Sequence, residues 1–175
     1  MSTPALTRRA LAAALAAGAV PLAGADEARA RPMGDREVVL GLLALEQRSV
    51  LVYDQLVRSG KLSGSAAAAA ELFRGQERRH VDALTQALKG MGATSLPKAP
   101  SPQDARGDVG ELIRLAAEHE MESIRAYYEA HAKLRSPALL ATAASVMANE
   151  AQHLAVLRQL LGRDPSPVAF VTGRG

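Results

Sequence analysis

The chain has 175 residues, a formal net charge of +3 and 48% apolar residues, with aromatics at only 3%. That length allows one domain with a proper core and excludes a second of ordinary size, while an Ala- and Leu-rich, aromatic-poor composition favours packed helices over sheets. Scattered basic residues argue against a nucleic-acid footprint, and the lack of cysteine excludes disulfides, iron–sulfur clusters and thiolate zinc sites, so any metal must bind through oxygen and imidazole.

Residues 1–30 read as a twin-arginine-type signal peptide. Arg8-Arg9 precede an apolar Ala/Leu run that Pro21 ends, and small residues follow. The run is shorter than the ~20 residues a membrane span needs, so no integral span is expected. Cleavage after Ala25 or after Ala30 fits equally well. The expected destination is the periplasm or the extracellular space.

The remainder, 31–175, reads as one helical domain. A first helix is predicted over 35–58, stopped by Ser59-Gly60, and a second over 65–89, opened by Ser65 and ended by Gly90. The Pro-rich stretch between Gly92 and Pro102 can only be an extended connector. A third helix spans 108–134, and Ser136-Pro137 turns the chain into a fourth over 137–161, with Ser136 as cap and Pro137 at the first helical position. The tail from Arg163 holds two prolines and two glycines and reads as an extended strap. Short links make each helix pair an antiparallel hairpin, and the long link crosses the length of the bundle.

Glu77/His80 and Glu150/His153 are two Glu-x-x-His motifs, and residues three apart on a helix share a face. The first and third helices each carry a lone upstream glutamate, Glu46 and Glu120, followed seven residues later by Tyr53 and Tyr127. The order is thus repeated, with 31 residues between the glutamates of the first half and 30 in the second. Stepping four and three residues along each helix puts all four glutamates in the apolar seam, between Leu43 and Tyr53, Phe73 and Leu84, Ala117 and Tyr127, and Val146 and Leu157. Glutamate is almost never buried without a partner, and four at one level are intelligible if two divalent cations neutralise them. Glu122, the competing ligand on the third helix, lies off the seam on a charged stripe with Glu118, Arg125 and Glu129. His119 points about 100° from Glu120 and is expected to be exposed, whereas His131 reads as a hydrogen-bonded histidine at the end of the core.

On these residues, the segment 36–161 resembles the ferritin-like superfamily of di-iron carboxylate proteins, in particular its small exported bacterial members. The resemblance implies an all-α ferritin-like four-helix bundle with metal ligands Glu46, Glu77, His80, Glu120, Glu150 and His153. The Glu-x-x-His glutamates would bridge two ions and the other two would be terminal. It also implies that Tyr53 and Tyr127 hydrogen-bond the carboxylates. Iron, two ions, or manganese suits this oxygen-rich set. The expected function is a di-iron oxidoreductase of ferroxidase, peroxidase or oxidase type that reacts with O2 or peroxide. The alternative is a non-catalytic iron- or manganese-binding or structural bundle of the cell envelope. Cage-type iron storage is disfavoured by a tail too short for a fifth helix, and a homodimer is the expected assembly.

Overall fold

The structure is a computed structural model that describes residues 34–99 and 107–174; the export signal expected over 1–30 lies outside these residues. They form four helices and no strand: α1 (Asp35–Arg58), α2 (Gly64–Gly90), α3 (Val109–His131) and α4 (Pro137–Leu160). None is long and apolar enough to cross a membrane.

The helix ends follow local chemistry. At the start of α3, the Asp108 side chain accepts from Glu111 N at 2.8 Å while Glu111 Oε2 accepts from Asp108 N at 2.7 Å, a reciprocal capping box. The second helix ends one residue later than the expected 89. Gly90 is its last residue, and Gly92, at φ +77°, takes the left-handed position that lets Ala93 N reach Leu88 O at 2.9 Å. Two further boundaries move. α2 begins at Gly64, behind Ser63 rather than Ser65. α3 stops at His131 instead of 134, because Lys133 N and Leu134 N both fold back onto Ala130 O in a turn. Ser136 occupies the cap position of α4, but its hydroxyl makes no capping bond. Instead Asp35, at the other end of the bundle's sequence, accepts from Arg135 N at 2.8 Å and Ser136 N at 2.9 Å, tying the α3–α4 turn to the start of α1.

α1 packs along α2, and α3 along α4; α1 against α3 joins the two hairpins, and α2 meets α4 less closely. α1 and α3 accordingly bury broader faces than a coiled-coil seam. Leu42, Leu45 and Ser49 on α1, with Leu112, Ala116 and Ser123 on α3, are buried beside the seam residues. The core divides into two apolar clusters. One contains Leu43, Leu84, Leu88, Tyr127 and Val146, the other Tyr53, Phe73, Ile113, Ile124 and Leu157. The start of α1 and the end of α2 lie in the first cluster, and the start of α3 lies in the second, so α2 ends at one end of the bundle and α3 begins at the other. After α4, the tail returns along α3, where Arg174 pairs with Glu129 at 3.3 Å. A Cβ on Gly173 would collide with the α3 backbone at Met121 and Arg125.

Candidate metal centre

Between the two apolar clusters lies a polar layer. Glu46, Glu77, Glu120, Glu150 and His153 have 0% exposure, and the His80 side chain has 12%. Helical phase explains the convergence: each glutamate occupies the seam position of its helix, and each histidine is one turn further on the same face.

The six side chains form two overlapping clusters. Glu46, Glu77, His80 and Glu150 offer ligand atoms that all lie within 4.8 Å of one another, and so do Glu77, Glu120, Glu150 and His153. The pairing of atoms is specific. His80 Nδ1 faces Glu46 Oε2 at 3.2 Å, Glu77 Oε2 at 3.4 Å and Glu150 Oε1 at 3.0 Å. His153 Nδ1 faces Glu77 Oε1 at 3.1 Å, Glu120 Oε1 at 3.4 Å and Glu150 Oε2 at 3.4 Å. Glu77 and Glu150 therefore each turn one oxygen to either imidazole, while Glu46 belongs to the His80 side and Glu120 to the His153 side.

The tyrosines cross between the halves. Tyr53 of the first hairpin donates to Glu120 Oε1 of the second, and Tyr127 of the second donates to Glu46 Oε1 of the first at 2.6 Å. Burial, then the neighbouring carboxylates, push both phenols well above their ordinary value, so they remain O–H donors. Ser49 and Ser123, each three residues after the upstream glutamate, are also fully buried in this layer. The serines extend the repeat to Glu-x-x-Ser-x-x-x-Tyr, a signal available in the sequence.

His119 is a correction. Only 10% of its side chain is exposed. A 100° step from Glu120 leads toward α1 rather than solvent, because α3 buries a broad face there. Ser49 Oγ meets His119 Nε2 at 2.9 Å, and burial lowers the imidazole's pKa. Glu122 sits outside with 44% of its side chain exposed and pairs with Arg48 at 3.2 Å. His131 lies outside both ligand clusters, its Nδ1 donating to Tyr127 O at 2.8 Å.

Gln76 is a further participant that sequence reasoning passed over. Its Oε1 lies 2.7 Å from His153 Nε2. With Nε2 donating there, Nδ1 keeps its lone pair toward the carboxylates, the tautomer a metal ligand requires. Phe73 stacks on the same ring at a centroid distance of 4.0 Å.

The donor set fits divalent cations. Both oxygens of Glu77 and Glu150, Glu120 Oε2 and His153 Nδ1 are buried with no hydrogen-bond partner, which a native core rarely tolerates. Protons compensate only partly. Burial raises Glu46 to about 8 and lifts Glu120 well above the carboxylate range. Burial opposes charge on the imidazoles, but the facing carboxylates overcome it and hold His80 up at about 12 and His153 at about 11. For Glu77 and Glu150, burial is likewise outweighed, by contacts led by His153 and Glu120 respectively, and both are lowered. Protons on the terminal glutamates and on the imidazoles thus supply some of the positive charge that divalent ions would bring to this layer.

Comparison with known families agrees with this arrangement: the family model described as a ferritin-like domain matches residues 9–163. No curated protein gives a significant match.

Proposed function

Because the chain belongs to the ferritin-like domain family, we propose that it is an exported di-metal protein, a di-iron oxidoreductase that reacts with O2 or peroxide. The observation that carries the reading is the split of Glu77 and Glu150, each with one oxygen toward His80 and one toward His153. In this role the two glutamates would be shared by the ions, Glu46 and His80 would help hold one, and Glu120 and His153 would help hold the other. Iron suits the oxygen-rich set, with manganese the nearest substitute.

Two bound ions of variable valence would supply paired redox equivalents to an oxidant. The chain's own residues do the rest. Tyr53 and Tyr127 fix one oxygen of each terminal glutamate and leave the other for metal. Gln76 fixes the His153 tautomer. The apolar core excludes bulk water from the His153 side of the layer, which strengthens each electrostatic contact there. Folding around a buried centre before export accords with the Arg8-Arg9 leader, which we assign to the twin-arginine route into the periplasm or beyond.

The test is uptake of Fe(II) by the purified protein, followed by stopped-flow oxidation with O2 and with peroxide. Two ions per chain are expected to bind, with release of protons, and Glu77→Ala should abolish binding of both. Absence of uptake, or full uptake by Glu77→Ala, rejects the centre. Uptake without turnover selects the second reading, a non-catalytic metal-binding bundle, which the closed His153 side favours.

A further inference from the structure

The repeat makes the two imidazoles equivalent in sequence, but the structure makes them unequal. His153 is sealed, with 1% of its side chain exposed, under Phe73 and against Gln76. By the internal repeat, the residues that correspond to Phe73 and Gln76 around His80 are Val146 and Asn149. Valine covers less of a ring than phenylalanine, and Asn149 is one methylene shorter than glutamine. Among the described residues Asn149 makes no hydrogen bond, so nothing caps His80 as Gln76 caps His153.

Beside these two smaller residues, where α2 and α4 stand apart, lies a cleft of about 760 Å³ with His80 in its lining. Its size lies within the ~300–1,000 Å³ typical of small-molecule sites. No carboxylate lines it. Arg79 does, and among the described residues this guanidinium has no ion-pair or hydrogen-bond partner. Asn149, Gln152 and Ser145 add donors, and Gln76 commits its carbonyl oxygen to His153, which leaves its NH2 group for the cleft.

An unpaired guanidinium beside amide donors matches a planar carboxylate, which Arg binds through two parallel N–H groups. We infer that the α2–α4 cleft binds a small organic carboxylate next to His80, which makes the His80 position the accessible half of the centre. The inference deepens the di-metal reading and rests on it for the role of the bound molecule, though not for the binding itself.

Acetate, with acetamide as its uncharged counterpart, is the probe. In 15N-edited spectra of the metal-free full chain, acetate should saturably shift the Arg79 Nε–Hε signal and the side-chain amides of Asn149 and Gln152. Acetamide should bind about tenfold more weakly or less, and Arg79→Gln should weaken acetate by about tenfold. Ser145→Trp, which fills the cleft from its exposed rim, should abolish the shifts at unchanged helicity. Equal binding of acetate and acetamide, full binding by Arg79→Gln, or persistent shifts in Ser145→Trp overturns the inference. In the Mn(II)-loaded chain, acetate's methyl protons should relax faster, and Arg79→Gln should remove the effect. Acetate bound without Mn(II) uptake rejects the di-metal reading and leaves the cleft standing. Mn(II) uptake without acetate binding does the reverse.

Discussion

At the scale of single residues, the crossed tyrosines decide how the two metal positions respond to substitution. Tyr127 holds Glu46 Oε1, and of the two imidazoles Glu46 faces that of His80. Phenylalanine at 127 keeps the packing but frees the carboxylate to rotate. Affinity at the His80 position should fall by about 10–100-fold, as for other residues that orient metal ligands, while the His153 position keeps its own. Isothermal titration with Mn(II) would then show two separated steps in place of one. Tyr53→Phe should give the mirror result, and equal weakening of both positions by either variant would contradict the assignment of Glu46 and Glu120 to different sides.

At the scale of elements, the bundle is held at one corner by Asp35, whose carboxylate receives the backbone N–H groups of Arg135 and Ser136. Asp35→Ala leaves two donors at the α3–α4 turn without that partner, which should cost about 1–2 kcal/mol. In a chain of this size the melting temperature should fall by roughly 3–6 °C, measurable by circular dichroism, with metal stoichiometry unchanged. A melting point unmoved by this substitution would show that the turn is held by packing alone. The helices and their seam were legible in the sequence because a period near 3.6 separates Leu43 from Glu46 and Leu84 from His80 as cleanly as it separates helix from loop. The breadth of the α1–α3 contact was not. A seam rule places His119 and Ser49 at or beyond its edge, and only the unequal spacing of helices around the bundle puts them in contact. Gly90 and Gly92 posed a similar problem, since either glycine could end α2 and the backbone hydrogen bonds of Leu88 chose between them. The cleft was legible only in hindsight: Phe73 and Val146, and Gln76 and Asn149, are pairs that the repeat aligns, and their size difference acquires meaning once α2 and α4 are seen to stand apart.

At the scale of the whole molecule, pH and metal should act on stability in opposite senses. In the metal-free fold Glu46 keeps its proton up to about 8, against an ordinary value of 4.5, so the fold loses stability as pH rises through that interval. His80, raised from 6.5 to about 12, contributes stability that is complete below 6.5 and fades as pH climbs toward 12. Glu77 and Glu150, both lowered, contribute above their ordinary value and lose that contribution on acidification. The metal-free chain should therefore melt higher at about pH 6 than at about pH 9. With divalent metal the order should reverse, because protons then compete for the ligands. A metal-free melting temperature that stays level over this range would mean that the layer's protons are not held as the geometry implies. The reciprocal tyrosines carry one further consequence. Each hairpin brings three of the six ligands and lends its phenol to the other's glutamate, so neither hairpin owns a site: half a chain is half a centre. A chain severed after Lys98 should reassemble as a two-fragment complex that metal cements and chelator dissolves, with size-exclusion chromatography as the readout, and association that ignores metal would show that the apolar clusters suffice as glue.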